Sequence, residues 1–328
     1  MARTGPALDE RLNNVIAVDI GGTQFRVGLF DEDGRQLLVS EGATDRSGGR
    51  EWMLEQIFEL SNSLKAKSDY PVRACGISFG GPVDFINQKA TSLASPGWSG
   101  FPLSVWVNEK LGLPCLMDND ANAGALGEYR FGAGRGTSSL VYVTLSTGVG
   151  GGLIIDGKIF RGKDNLAGEI GHLPVSDSGV VCACGAHGCL ETVCSGSAIA
   201  RTGQEWAMRR PDAVARMVEL SGGSVEKISA KAIVQAAAEG DMPAAGIIRE
   251  SGRWLAKALF TVIRILNPDK IVLGGGVAQA GKLLLDPVQE ALEELRSPAI
   301  HSTTEVVFAE LGINSPLYGA VALALQAK

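Results

Sequence analysis

The sequence predicts an α/β protein organised as two domains, and three observations predict it. Short β-branched runs closed by glycine-rich turns alternate with stretches whose apolar residues recur at helical spacing. At 328 residues the chain is long enough to build two separate cores. Glycine contributes 43 of those residues, about twice its ordinary share, as expected where backbone turns tightly or approaches a ligand closely.

The first run, Val15-Ile16-Ala17-Val18-Asp19-Ile20, has the β-branched content of a buried strand. Gly21-Gly22-Thr23 turns the chain, and Phe25 to Phe30 reads as a strand running back, with a third over Gln36 to Ser40. Backbone N–H groups of such a turn and the Thr23 hydroxyl can cradle phosphate oxygens, while Asp19 can hold Mg²⁺ directly or through water. By itself the stretch reads equally well as an ordinary hairpin. Met53, Ile57, Leu60 and Leu64 then mark one face of a helix. Arg73 to Ser78 returns as a strand and ends in Phe79-Gly80-Gly81-Pro82, where the glycine pair points to close backbone approach to a substrate. A helix over Val105 to Leu111 leads to a strand, Pro114 to Met117. That strand delivers Asp118-Asn119-Asp120 to the helix-forming Ala121 to Glu128. One polar residue there is expected as a helix cap, but three exceed that need. A carboxylate in this place suits a general base acting on a hydroxyl, and Asp120 is preferred to Asp118, which can still belong to the strand.

The second half repeats the opening logic. Ser139 to Leu145 reads as a strand, opens into Ser146-Thr147-Gly148-Val149-Gly150-Gly151-Gly152, and continues as the strand Leu153 to Ile155. Two such turns point to two phosphate-facing hairpins around one nucleotide. No glycine-rich stretch ends in the Gly-Lys-Ser/Thr of a P-loop, and no Gly-x-Gly-x-x-Gly follows a strand. Ile247, Leu255, Leu259, Val262 and Leu266 line a long helix that stops at Asn267-Pro268. Lys270 to Leu273 is a strand running into a third glycine turn, Gly274-Gly275-Gly276, suited to packing beside an adenosine. A helix from Leu317 to Gln326 closes the chain, and Arg201 to Ser229 is the least informative stretch.

The densest chemistry lies between Glu169 and Glu191. Glu169-Ile170-Gly171-His172 precedes Cys182-Ala183-Cys184-Gly185-Ala186-His187-Gly188-Cys189-Leu190-Glu191. Three thiols divided by glycines, with a histidine upstream, form a Cys₃His set that suits tetrahedral zinc. Six cysteines would also allow disulfides, but the N-terminal stretch from Met1 to Asn14 is polar and carries no signal-peptide core, and a chain this long does not depend on staples. Spacing leaves His172 and His187 both open as the fourth ligand. The flanking acids Glu169 and Glu191 are hard donors poorly matched to a thiolate site, and fit better as hydrogen-bond acceptors for a polyhydroxylated substrate. A net charge of −6 argues against a nucleic-acid surface. No apolar run approaches the roughly 20 residues of a membrane span. The expectation is a soluble cytoplasmic protein.

Together these residues resemble the ROK family of sugar kinases (repressor, open reading frame, kinase), within the actin/hexokinase-like ATPase superfamily. The resemblance runs from Val15 to the C-terminus. It rests on Asp19-Ile20-Gly21-Gly22-Thr23, Asn119-Asp120-Ala121-Asn122, the stretch from Leu145 to His172 and the Cys-x-Cys-Gly-x-x-Gly-Cys-x-Glu module. It implies a two-domain actin-like (hexokinase-type) fold with mixed sheets and an interdomain cleft. The first domain would span residues 15–120 after a tail over 1–14, and the second 121–313. A C-terminal helix over about 314–328 would pack back on the first. It further implies that Asp19, Gly21, Gly22, Thr23 and Gln24, with Thr147, Gly148, Gly150, Gly151 and Gly152, bind ATP phosphates, and that Gly275 and Gly276 flank the adenosine. Asp120 becomes the catalytic base, Asn119, Glu169, His172 and Glu191 contact sugar hydroxyls with Gly81 nearby, and the zinc ligands become His172, Cys182, Cys184 and Cys189. Gln24 departs from the family, which often has lysine or asparagine there.

The implied reaction is Mg²⁺-dependent transfer of the ATP γ-phosphoryl group to a sugar, with structural zinc and a homodimeric assembly. Asp118 to Glu128, Gly132 to Gly136 and Pro96-Gly97-Trp98 lie nearest the family's glucokinases, so glucose, giving glucose 6-phosphate, is the expected substrate. The alternative is an N-acylhexosamine such as N-acetylmannosamine or N-acetylglucosamine. A non-catalytic sugar sensor is the other class to weigh, disfavoured by the acidic charge and by the short stretch before the first strand. Cys75, Cys115 and Cys194 have no assigned role.

Overall fold

The computed structural model describes residues 13–92, 95–177, 179–296 and 302–327; the expected N-terminal tail, apart from Asn13 and Asn14, lies outside them. The chain divides into two compact units. One runs to Gly132 and resumes at Asn314, and the other spans Ala133–Ile313.

The first unit begins with β1 (Asn14–Ile20), β2 (Gln24–Asp31), β3 (Gln36–Ala43), α1 (Gly49–Ala66) and β4 (Val72–Phe79). It continues through β5 (Val83–Asp84), β6 (Lys89–Ala90), α2 (Leu103–Leu111), β7 (Cys115–Asn119) and α3 (Asp120–Phe131). Its sheet has the order β3-β2-β1-β4-β7. β1 is antiparallel to β2 and parallel to β4, and all seven of its residues are buried. A strand covered on both faces reads as a continuous apolar run rather than an alternating one. Met53, Leu54, Ile57 and Leu64 of α1 pack with Leu103 and Val107 of α2 against Ile16, Val18 and Ile77 on one sheet face.

The second unit holds β8 (Leu140–Leu145), β9 (Val149–Ile155), β10 (Lys158–Ile159), α4 (Glu191–Cys194), α5 (Gly196–Arg209) and α6 (Ala215–Leu220). Then come α7 (Ala230–Ala238), α8 (Met242–Leu266), β11 (Lys270–Gly274), α9 (Lys282–Glu294) and β12 (Glu305–Phe308). Its sheet, β10-β9-β8-β11-β12, repeats the plan of the first: three strands in an antiparallel meander, then two added in parallel. Both sheets are therefore mixed. Val141, Val143, Leu145, Ile271 and Leu273 share a core with Ile247, Leu255 and Leu259 of α8. That helix stops where Asn267 takes a left-handed conformation (φ 43°) ahead of Pro268.

The last helix, α10 (Ser315–Ala324), belongs to the first unit. Leu317, Ala320 and Val321 cover the second face of that sheet over Val15, Ala17 and Ala74. Its approach to α3 is possible only because glycines meet there. A Cβ on Gly319 would lie 1.8 Å from the Ala123 carbonyl oxygen, and one on Gly127 2.4 Å from that of Ser315. This contact fixes α3 in the first unit. The boundary accordingly falls after Gly132, not after residue 120 as the sequence led us to expect.

Candidate active site

The first glycine turn is closed by a hydrogen bond from Gly21 N–H to the Gln24 carbonyl (3.0 Å), and a Cβ on Gly21 would sit 2.7 Å from that oxygen. Gly22, Thr23 and Gln24 are exposed. Beside them Asp19 is buried, and register pairs it with Arg26 across the hairpin. Arg26 Nη2 donates to Asp19 Oδ2 (2.6 Å) and Ser78 Oγ donates to Oδ1 (2.9 Å), while Arg26 Nη1 donates to Asn314 Oδ1 (2.5 Å). With about four lone-pair positions on a carboxylate, Asp19 keeps acceptor capacity for a metal-bound water, the role in which a Mg²⁺–phosphate site uses one or two carboxylates. Gly80 and Gly81 lie close by. A Cβ at Gly81 would meet the Thr91 carbonyl oxygen at 2.7 Å, so tight backbone packing alone requires a glycine there.

Asp118, Asn119 and Asp120 separate into distinct roles. Asp118 is the buried next-to-last residue of β7, and its Oδ1 accepts from Asn119 N–H (2.8 Å) and Asn122 Nδ2 (3.0 Å). Asn119 caps α3, its Oδ1 accepting from Asn122 N–H at 2.7 Å. That leaves the Asn119 amide NH₂ as the group suited to donate to a ligand. Asp120 is the first residue of α3, half-buried at the positive end of the helix.

In the second unit the turn proper is Ser146-Thr147-Gly148, closed by Ser146 N–H to the Gly148 carbonyl (2.9 Å). Gly150, Gly151 and Gly152 lie inside β9, and the last two are buried. A Cβ on Gly151 would be 2.4 Å from the Gly168 carbonyl oxygen, so this glycine admits a neighbouring loop, not a phosphate. Gly148 likewise has a protein neighbour. Its Cβ would lie 2.4 Å from Glu191 Oε2, which accepts the Val149 N–H at 3.0 Å. Gly275 turns with φ 85° against the Leu145 carbonyl, and Gly276 is exposed. From Thr147 to Gly276 runs a cavity of about 790 Å³, in the range of small-ligand sites. Lys227, Ser229, Lys231 and Gln235 line it. No local pattern marked these residues, which come from the stretch read as uninformative and from α7.

His172, Cys182, Cys184 and Cys189 converge, their ligand atoms all within 4.8 Å of one another. Cys184 Sγ to Cys189 Sγ is 3.7 Å, and Cys182 Sγ to His172 Nδ1 is 3.5 Å. A zinc tetrahedron with ordinary bond lengths has S–S edges of about 3.8 Å and S–N edges of about 3.6 Å, so the donor set fits. Withdrawal from water, reinforced by the other two thiols, pushes Cys189 up to about 12, whereas the Ala186 N–H lowers Cys184. A bound cation is what would hold all three as thiolates. His187 lies apart, its Nδ1 3.2 Å from the Gly179 carbonyl oxygen. On the far side of the His172 ring, Nε2 faces Glu169 Oε2 at 3.7 Å, and both groups are partly exposed. All six cysteines are free thiols. Cys75 is raised by its hydrogen bond with Cys115 and by burial, and Cys194 is raised to about 12 by burial, which leaves both unreactive. Among the described residues no helix is long and apolar enough to cross a membrane.

A family model described as the ROK family matches residues 15–327. The chain belongs to the ROK family. Among ROK relatives, a glucokinase from Thermotoga maritima is 36% identical over 310 residues, covering 94% of this chain and 96% of that one. A solved ROK family glucokinase from Streptomyces griseus, in complex with glucose and AMPPNP, superposes with a TM-score of 0.82 at 38% identity, covering 96% and 100% of the two chains. A xylose repressor from Caldicellulosiruptor bescii is 29% identical, covering 97% of this chain and 80% of its own. The fold is thus the actin-like, hexokinase-type α/β fold of ROK kinases.

Proposed function

We propose that this ROK protein transfers the γ-phosphoryl group of ATP to the 6-hydroxyl of glucose, giving glucose 6-phosphate and ADP. The observation that carries this is the near full-length likeness to the glucokinase solved with glucose and an ATP analogue. In the reaction a bond forms between the sugar oxygen and the γ-phosphorus while the bond to the β,γ-bridging oxygen breaks. Asp120 accepts the hydroxyl proton; its half-buried place as the first residue of α3 supports that role. The Asn119 amide, Glu169, His172 and Glu191 bind and orient the sugar hydroxyls. Thr23, Thr147 and the exposed turn amides hold phosphates, and the cavity lined by Lys227, Ser229, Gln235 and Gly276 takes the adenosine. Magnesium bound with ATP offsets phosphate charge, and Asp19 is the carboxylate on hand for it. Zinc on His172, Cys182, Cys184 and Cys189 is structural. His172 would hold the ion through Nδ1, which would orient the ring with Nε2 beside Glu169 and available to a sugar hydroxyl. We take the protein to act in the cytoplasm as a homodimer, by likeness to its family.

Steady-state kinetics with a panel of sugars tests the assignment. kcat/KM should be highest for glucose, because a site built to bond particular hydroxyls rejects analogues that leave its polar groups without partners. A higher value for N-acetylmannosamine would overturn the substrate while leaving the kinase standing.

A further inference from the structure

Residue 24 is glutamine, so the stretch Asp19–Gln24 carries no cation for the phosphates it is proposed to hold. One is supplied from elsewhere in the chain. Beyond the end of β3 the backbone crosses the turn, where Thr44 N–H donates to the Thr23 carbonyl (2.9 Å) and Thr44 Oγ1 to that of Gly21 (2.9 Å). These bonds fasten the segment to the turn two residues ahead of Arg46. Arg46 Nε then donates to the Gly22 carbonyl at 2.6 Å. A Cβ on Gly22 would lie 2.9 Å from Arg46 Nη2, so the guanidinium rests against the α-carbon of residue 22 in space that only glycine leaves.

The charge of this guanidinium is uncommitted. Arg46 is exposed and forms no ion pair among the described residues. The neighbouring Asp45 turns its Oδ1 to the Ser47 N–H (2.9 Å) and hydroxyl (2.6 Å). Arg26, the other guanidinium close to the turn, is occupied by Asp19 and Asn314. Of the five N–H donors of an arginine, the Nε bond uses one and leaves a planar fork of the kind that grips phosphate oxygens in pairs.

We propose that Arg46 is the phosphate-binding cation of this chain, contacting the β- and γ-phosphate oxygens of ATP in place of a basic residue at position 24. The proposal rests on the assignment of Asp19–Gln24 as a phosphate turn. Calorimetric titration of the full chain with ATP, ADP and adenosine, without sugar, tests it. Arg46→Gln should weaken ATP and ADP on the order of tenfold to a hundredfold, the range for charge-assisted hydrogen bonds, and leave adenosine affinity unchanged. Arg46→Lys should fall between, since it keeps the charge but loses the Nε anchor. Equal losses for ATP and adenosine would mean that Arg46 merely staples the segment to the turn, and unchanged ATP affinity would overturn the proposal alone. Wild-type protein that binds no ATP would overturn it together with the kinase function.

Discussion

Asp118 and Asp120 stand two positions apart and meet different surroundings. Because Asp118 still belongs to β7, its side chain is directed into the protein, where the Asn119 amide and the Asn122 side chain consume it. That much was legible from a strand running into Asp-Asn-Asp before a helix-forming stretch. Asp120→Asn keeps size and hydrogen bonding but cannot accept a proton. Turnover should fall by roughly 10²–10⁴-fold with glucose affinity little changed, and near-normal turnover in a steady-state assay would place the base elsewhere. Gly148 was legible only as a glycine in a turn. Its reason is Glu191, 43 positions away in sequence and 2.4 Å from where a Cβ would stand, a contact that only the folded chain reveals. Gly148→Ala should push the Glu191 carboxylate off the Val149 amide and raise KM for glucose more than KM for ATP. A rise confined to ATP would return Gly148 to the phosphates.

At the scale of elements, strands and glycine turns were readable because glycine and β-branched residues act through local backbone sterics. The extent of the second turn was not. Gly150 to Gly152 continue β9 through their pairing with Thr144, Val143 and Tyr142 of β8, and at Gly151 the carbonyl of Gly168 and the side chain of Ile170 pack where a side chain would be; nothing local to the run announces that. The stretch after Arg201 was opaque for another reason. Pro211 and the Gly222-Gly223 pair cut it into pieces such as α6, too short for a helical period to register. In the Cys/His loop, spacing alone left two histidines, and the short helical turn Ile170–His172 is what carries His172 Nδ1 to Cys182 while His187 faces Gly179. Elemental analysis of protein purified without chelator should find one zinc per chain. Cys184→Ser should release it and raise KM for glucose through a loosened His172 and Glu169. A wild-type preparation without zinc would remove the metal from the account.

For the molecule as a whole, the sequence carried the repeated hairpin, whereas the two parallel strands added to each, β12 among them, emerge only in the folded chain, where both sheets follow one plan. It did not carry the place where one unit ends. That depends on the closeness of α3 and α10, set by Gly127 and Gly319, which stand far apart in the sequence. Family membership then separates a catalyst from a sensor only through chemistry, since relatives include both glucokinases and a xylose repressor. The most direct measurement is ADP release by the wild-type chain supplied with Mg²⁺ and ATP, with and without glucose, the sugar product being identified alongside. ADP should form when glucose is present, with one glucose 6-phosphate for each ADP. Glucose binding without any ADP formed, or ADP release that is the same with and without the sugar, would contradict the account.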